Sequence, residues 1–238
     1  MSWLLGFYRS TVGKKVIMGV TGVIGIGFVI LHMLGNLQIF LGPEKMNGYA
    51  RLLHGPAAEV LWVLRVVLIA AVVLHIVCAV QLTARSRASR PVAYARRVPQ
   101  VSTWGARSIR VGGFLLLLFI PLHLMHFTTK TWRPAGTFAE GDIYALVVSS
   151  FGIWWLALLY IAMMVFMGLH LYHGAWSSLR TLGAKKASGD PFQRKLATGL
   201  AIVVWLGFTI VPLAIWAGAL RSRGAAAAAV AAPASHAD

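Results

Sequence analysis

Four histidines stand in four separate hydrophobic segments: His32, His75, His123 and His170. An imidazole in hydrocarbon is costly, so it normally faces the protein interior and has a partner there. Helix geometry converts their positions into depths. At about 1.5 Å of rise per residue, His32 lies roughly 25 Å beyond Lys15 and His123 roughly 21 Å beyond Ile109, on two segments that run outward. On the two segments that run inward, His75 lies about 14 Å and His170 about 12 Å short of the inner end. His32 and His123 therefore share an outer level, and His75 and His170 an inner one. Two imidazoles facing each other from different helices are what a b-type haem requires. Filling both axial positions excludes small molecules and leaves the iron an electron carrier. The pattern predicts two haems stacked across a bilayer, with haem iron held by His32 and His123 at one level and by His75 and His170 at the other.

Two of these histidines have close neighbours. In H-L-M-H, His123 and His126 are three apart, and in H-L-Y-H so are His170 and His173. That separation sets side chains about 60° apart on a helix, so either member of each pair can aim at the core. The other then hydrogen-bonds a neighbouring helix or a haem edge.

The elements that must position these side chains are transmembrane. Of 238 residues, 58% are hydrophobic, and the mean hydropathy is +0.75. Apolar runs bounded by charge clusters recur, each near the roughly 20 residues that cross a bilayer. They predict an all-α integral membrane protein with helices at about 15–41, 58–84, 109–130, 143–178 and 196–220. Helices I–IV are expected to form a haem-binding four-helix bundle, with helix V peripheral. The first run is too long for a cleavable signal and contains His32 and Asn36. One domain over residues 1–221 is followed by an alanine-rich tail, 222–238, that reads as disordered. Residues 1–14 form a short amphipathic lead at the inner interface, and residues 42–57 an outer loop.

The net charge of +16 invites a nucleic-acid reading, but the distribution of bases argues against one. They concentrate at the N-terminus (Arg9, Lys14, Lys15), in the II–III loop (Arg85 to Arg110) and in the IV–V loop (Arg180, Lys185, Lys186, Arg194, Lys195). The intervening loops hold Glu44, Glu59, Glu140 and Asp142. This positive-inside pattern puts the N-terminus and both basic loops in the cytoplasm and, after five spans, the C-terminus outside. The II–III stretch, 85–108, is a reasonable docking surface for a cytoplasmic partner. Cys78 is the only cysteine, so no disulfide framework or thiolate cluster can form. No phosphate-binding loop, dinucleotide fingerprint or nucleophile elbow is present, so no catalytic residue for soluble chemistry is assigned.

Four stretches carry a resemblance: H-M-L-G-N at His32–Asn36, L-H-I with Q-L-T-A within Leu74–Ala84, P-L-H-L-M-H-F-T at Pro121–Thr128, and G-L-H-L-Y-H-G-A-W-S at Gly168–Ser177. In order and spacing, across most of residues 10–215, the chain resembles the five-helix, two-haem cytochrome b anchor of succinate:quinone oxidoreductases and fumarate reductases. The resemblance implies that helix I and III histidines, here His32 and His123, hold the distal haem, and that His75 and His170 hold the proximal one. It favours His123 over His126 and His170 over His173. It implies as partners a flavoprotein subunit carrying FAD and an iron–sulfur subunit, with quinone, commonly menaquinone, as the membrane substrate. The expected location is a bacterial cytoplasmic membrane.

Propionates would need cationic or hydrogen-bonding partners. Lys14, Lys15, Arg107, Arg110 and Arg180 lie near the inner ends of helices I, III and IV and could serve the proximal haem, or equally reflect topology and lipid headgroup contact. Arg65, about 10 Å inside helix II, is expected to face a distal propionate or quinone oxygen, or to snorkel outward. His54, Glu59 and Glu44 are candidate proton carriers for quinone chemistry, and equally ordinary loop residues. Two alternatives remain: the cytochrome b subunit of another quinone-linked complex, of hydrogenase or formate dehydrogenase type, and a haem-free transporter or proton channel. The absence of a regular set of intramembrane carboxylates counts against the channel.

Overall fold

Ser10 and Asp142 each start a helix by accepting a main-chain N–H on the side chain, from Gly13 at 2.8 Å and from Ala145 at 3.0 Å. The computed structural model describes residues 2–89, 104–183 and 191–220. Within them every regular element is helical: α1 (Ser2–Arg9), α2 (Thr11–Leu37, extended by a 3-10 turn to Leu41), α3 (Pro43–His54), α4 (Ala58–Ala88), α5 (Trp104–His123, extended by a π-helical turn to Thr128), α6 (Ile143–Gly152), α7 (Trp154–Thr181) and α8 (Pro191–Trp216). Five of these are long and apolar enough to cross a membrane: α2, α4, α5, α7 and α8 with their extensions. Residues 90–103 of the expected docking stretch at 85–108, the bases Lys185 and Lys186, the side chain of Arg107 and the tail at 221–238 lie outside the described residues.

Helix I, II, III and V fall where hydropathy predicts them. The expected fourth helix, 143–178, is two helices. Ile153 adopts extended backbone (φ −79, ψ 109) and separates α6 from α7. A continuous helix over that range would reach about 54 Å, well beyond a hydrocarbon core of about 30 Å. The break is supported from α8, whose Trp216 indole N–H donates to the Phe151 carbonyl at 3.0 Å. That bond satisfies a main-chain acceptor which the end of α6 leaves open.

The expected outer loop at 42–57 is largely helical as α3. Pro43 occupies its first turn and Glu44 complements its N-terminal dipole. Asn47 locks α3 onto α6: its amide donates to Asp142 at 3.0 Å, and its side-chain oxygen accepts from Tyr144 N at 2.9 Å.

The long helices form an incomplete ring. α2 packs between α4 and α7, and α5 packs on the other flank of α7. No close packing joins α4 to α5, α2 to α5 or α4 to α7 among the described residues. α2 and α5 are thus diagonal neighbours, as are α4 and α7.

The fifth long helix is not peripheral, contrary to expectation. α8 lies along both α7 and α2 and buries Ala197, Ala201, Val204, Thr209, Val211, Pro212 and Ile215. Small residues permit this closeness: a Cβ on Gly207 would sit 2.2 Å from Met33 Sδ on α2. The least engaged long helix is α4, in which Ala71 and Cys78 are the buried residues. Its outward residues, among them Val60, Val63, Val66 and Ile69, are apolar and exposed, as suits a face turned to lipid.

Candidate functional site

The diagonal helices bring the four histidines together as two pairs. His75 on α4 and His170 on α7 have ring centroids 6.1 Å apart, inclined at 56°. His32 on α2 and His123 on α5 have centroids 5.8 Å apart, at 85°. The helix backbones do not pack closely here, and the long imidazoles span the gap. On α2, His32 lies ten residues, about 15 Å, above Gly22, which faces His75. The two pairs therefore occupy distinct levels.

At the first level, His75 is held from behind. Its Nδ1 lies 3.1 Å from the Met18 main-chain oxygen and 3.2 Å from Thr21 Oγ1. The Thr21 hydroxyl donates to the Ile17 carbonyl at 2.8 Å. Two glycines clear the surroundings. A Cβ on Gly22 would meet His75 Cε1 at 3.5 Å, and one on Gly113 would meet His170 Cε1 at 3.7 Å. His170 Nδ1 is buried and has no hydrogen-bond partner.

The second level is more aromatic. Phe28 stacks on His32 at 5.4 Å and 10°, and Phe208 of α8 approaches the same ring at 5.7 Å. Phe119, Phe127 and Tyr160 surround His123. His123 Nδ1 is buried without a partner. The Asn36 amide donates to the His32 carbonyl at 2.7 Å and lies 3.3 Å from His32 Nε2. A metal bound to that nitrogen would displace the second contact.

His126 and His173 differ from each other. His126 is 1% exposed, and both ring nitrogens are engaged, Nδ1 with Tyr160 Oη at 2.9 Å and Nε2 with Ser150 Oγ at 3.0 Å. It ties α5 to α6 and α7 and has no nitrogen to spare. Sequence spacing could not expose this role, because Ser150 and Tyr160 lie on other helices. The one local sign is Pro121, which removes a backbone donor shortly before the π-helical turn that carries His126. His173 Nδ1 is buried without a partner.

The expected charged groups are dispersed. Lys14 is buried, with Nζ donating to Gln81 Oε1 and lying 3.9 Å from the Tyr8 ring centre, so it fastens α1, α2 and α4 together. Arg110 is exposed. Lys15 and Arg180 line a cavity of about 410 Å³ at the end of α2 and α7. Arg65 stacks on Trp62 of its own helix, with its guanidinium carbon 5.0 Å from the ring centre. His54 and Glu59 are exposed, and His54 Nδ1 donates to the Ala50 carbonyl at 2.9 Å. Glu44 is exposed and lines a separate cavity of about 440 Å³ with Gln38, Lys45 and Tyr49.

The paired rings suit a metal that brings most of its own ligands. A metal–imidazole bond is about 2 Å and the ring centre lies about 1 Å behind the bonded nitrogen, so trans imidazoles have centres roughly 6 Å apart. Both observed spacings match. Among the described residues, no group of three or more His, Cys, Asp or Glu converges on a point. Each level thus brings two imidazoles together. No protein-family model, curated protein or solved structure matches the chain.

Proposed function

We propose that this chain is a dihaem cytochrome b membrane anchor. It would carry electrons between a soluble flavoprotein and iron–sulfur pair, of the succinate dehydrogenase or fumarate reductase type, and membrane quinone such as menaquinone. The observation that carries the reading is the pair of diagonal imidazole contacts, His75–His170 and His32–His123, with ring centroids 6.1 and 5.8 Å apart. Haem held by His75 and His170, and by His32 and His123, would supply one-electron redox chemistry.

The chain's own residues prepare such sites. The Met18 carbonyl accepts from His75 Nδ1, fixing the tautomer and leaving the Nε2 lone pair available. Gly22 and Gly113 keep side-chain bulk away from the facing rings. Phe28, Phe119, Phe127 and Phe208 exclude water around the upper pair. Partner binding is supported only by the sequence resemblance and the basic loops; the cytoplasmic orientation rests on the positive-inside pattern.

A pyridine haemochrome measurement on purified protein tests the reading. Two b-type haems per chain are expected, with one lost on H75A or H170A and the other on H32A or H123A. A colourless, functional wild type would overturn it. Co-purification with a flavin-carrying subunit that oxidises succinate separates this complex from hydrogenase or formate dehydrogenase types.

A further inference from the structure

α2 and α7 cross tightly at Gly19 and Gly22, where an added Cβ would meet Ser178 and Leu182 atoms at 3.6–3.9 Å. Beside that crossing lies a cavity of about 410 Å³ lined by Val12 and Lys15 of α2 and by Trp176, Ser177, Arg180 and Thr181 of α7. Arg180 lies over the Trp176 ring at 4.8 Å, and Arg194 of α8 over the same ring at 4.5 Å. Two guanidinium groups thus lie over one indole, and Lys15 and two hydroxyls line the cavity it borders. The acids among the described residues, Glu44, Glu59, Glu140 and Asp142, all lie at the opposite end of the long helices. Among the described residues, no carboxylate lies beside the cluster.

We propose that this pocket binds the phosphate of an anionic phospholipid. Lys15 and Arg180 would pair with phosphate oxygens, and the Ser177 and Thr181 hydroxyls would donate to them. The apolar side of the site favours a lipid over a free anion. Val12 is 67% exposed beside Lys15, Leu182 is 45% exposed beside Thr181, and Trp176 presents an indole at the helix end, where such rings meet headgroups. A basic pocket between the ends of membrane helices is the recurring geometry for headgroup capture. The proposal is independent of the histidine pairs, because the pocket's lining contains none of them.

Native mass spectrometry of the detergent-solubilised full chain provides the test, with phosphatidylglycerol, phosphatidylcholine and inorganic phosphate titrated in separate arms. One phosphatidylglycerol is expected to be retained in preference to phosphatidylcholine. At roughly a fivefold contribution per cation, K15Q/R180Q should weaken it about 25-fold, whereas R87Q, exposed and outside the pocket, should leave it unchanged. Equal retention of both lipids by the wild type, or undiminished retention by the double variant, would overturn the proposal. So would displacement of the lipid by millimolar inorganic phosphate, which would make the ligand a free anion. Should K15Q/R180Q not fold, S177A/T181V keeps the charges and should weaken retention several-fold, and the wild-type lipid comparison decides alone. Haem content is not read in this experiment, so its failure is distinguishable from that of the dihaem proposal.

Discussion

His75 Nδ1 lies 3.1 Å from the main-chain oxygen of Met18, on the adjacent helix. A carbonyl can only accept, so the ring proton is on Nδ1 and Nε2 keeps its lone pair. The partner is backbone and survives any substitution of Met18, so the lower pair is aimed by the packing of α2 on α4. His32, by contrast, is bonded within its own helix through Asn36.

Clearance beside His75 is therefore testable. Gly22→Val should push the ring and reduce haem to about one per chain, since the first added carbon already stands 3.5 Å from His75 and 3.6 Å from Ser178 Oγ. Gly27→Val has open space within 4 Å and should retain both haems. Haemochrome absorbance per chain distinguishes the two variants, and equal haem content would remove Gly22 from the site.

His126→Ala should be expensive and spectroscopically quiet. It empties a fully buried volume and strands the Tyr160 and Ser150 hydroxyls, a loss of about 3 kcal/mol. Thermal unfolding should fall accordingly, while the fraction that folds keeps both haems. His123→Ala should lose the upper haem instead. A haem deficit in His126→Ala with unchanged stability would reverse these roles.

Trp216→Phe retains the ring volume and removes one donor. The Phe151 carbonyl would then lose its cap, with an expected loss of about 1 kcal/mol and no change in haem content. Denaturant midpoints of the two proteins measure it; identical midpoints would show that the bond contributes nothing.

Asn47→Ala should release α3 from α6, since both side-chain bonds disappear. Limited proteolysis between Leu41 and Ala58 should accelerate several-fold, at a stability cost of about 1–2 kcal/mol. An unchanged cleavage pattern would mean that α3 is held by its apolar contacts alone.

The long helices were legible because hydropathy needs no knowledge of partners. The levels of the histidines were legible because rise per residue is fixed. Those two facts also placed His32 opposite His123, and His75 opposite His170, before any contact was known. Pairwise detail was not accessible in the same way. Spacing left His123 and His126 equivalent, the resemblance favoured His123, and the contacts of His126 with Ser150 and Tyr160, distant in sequence, set the two apart. The break at Ile153 carries no proline, and apolar residues continue through it, although the excess length of 143–178 was itself a sign. Pro43 and Glu44 announce α3 by the usual rules for helix starts. The close fit of α8 depends on Gly207 meeting Met33, a complementarity invisible in either segment alone.

The interruption at Ile153 also separates two kinds of variation. In an unbroken helix each inserted residue turns everything on one side by about 100° relative to the other. Here that angular memory ends where α6 ends. Lengthening or shortening the connection at 129–142 would shift the short cap helix and leave the phase of α7 intact. His170 would go on pointing at His75 while the outer surface above it changed.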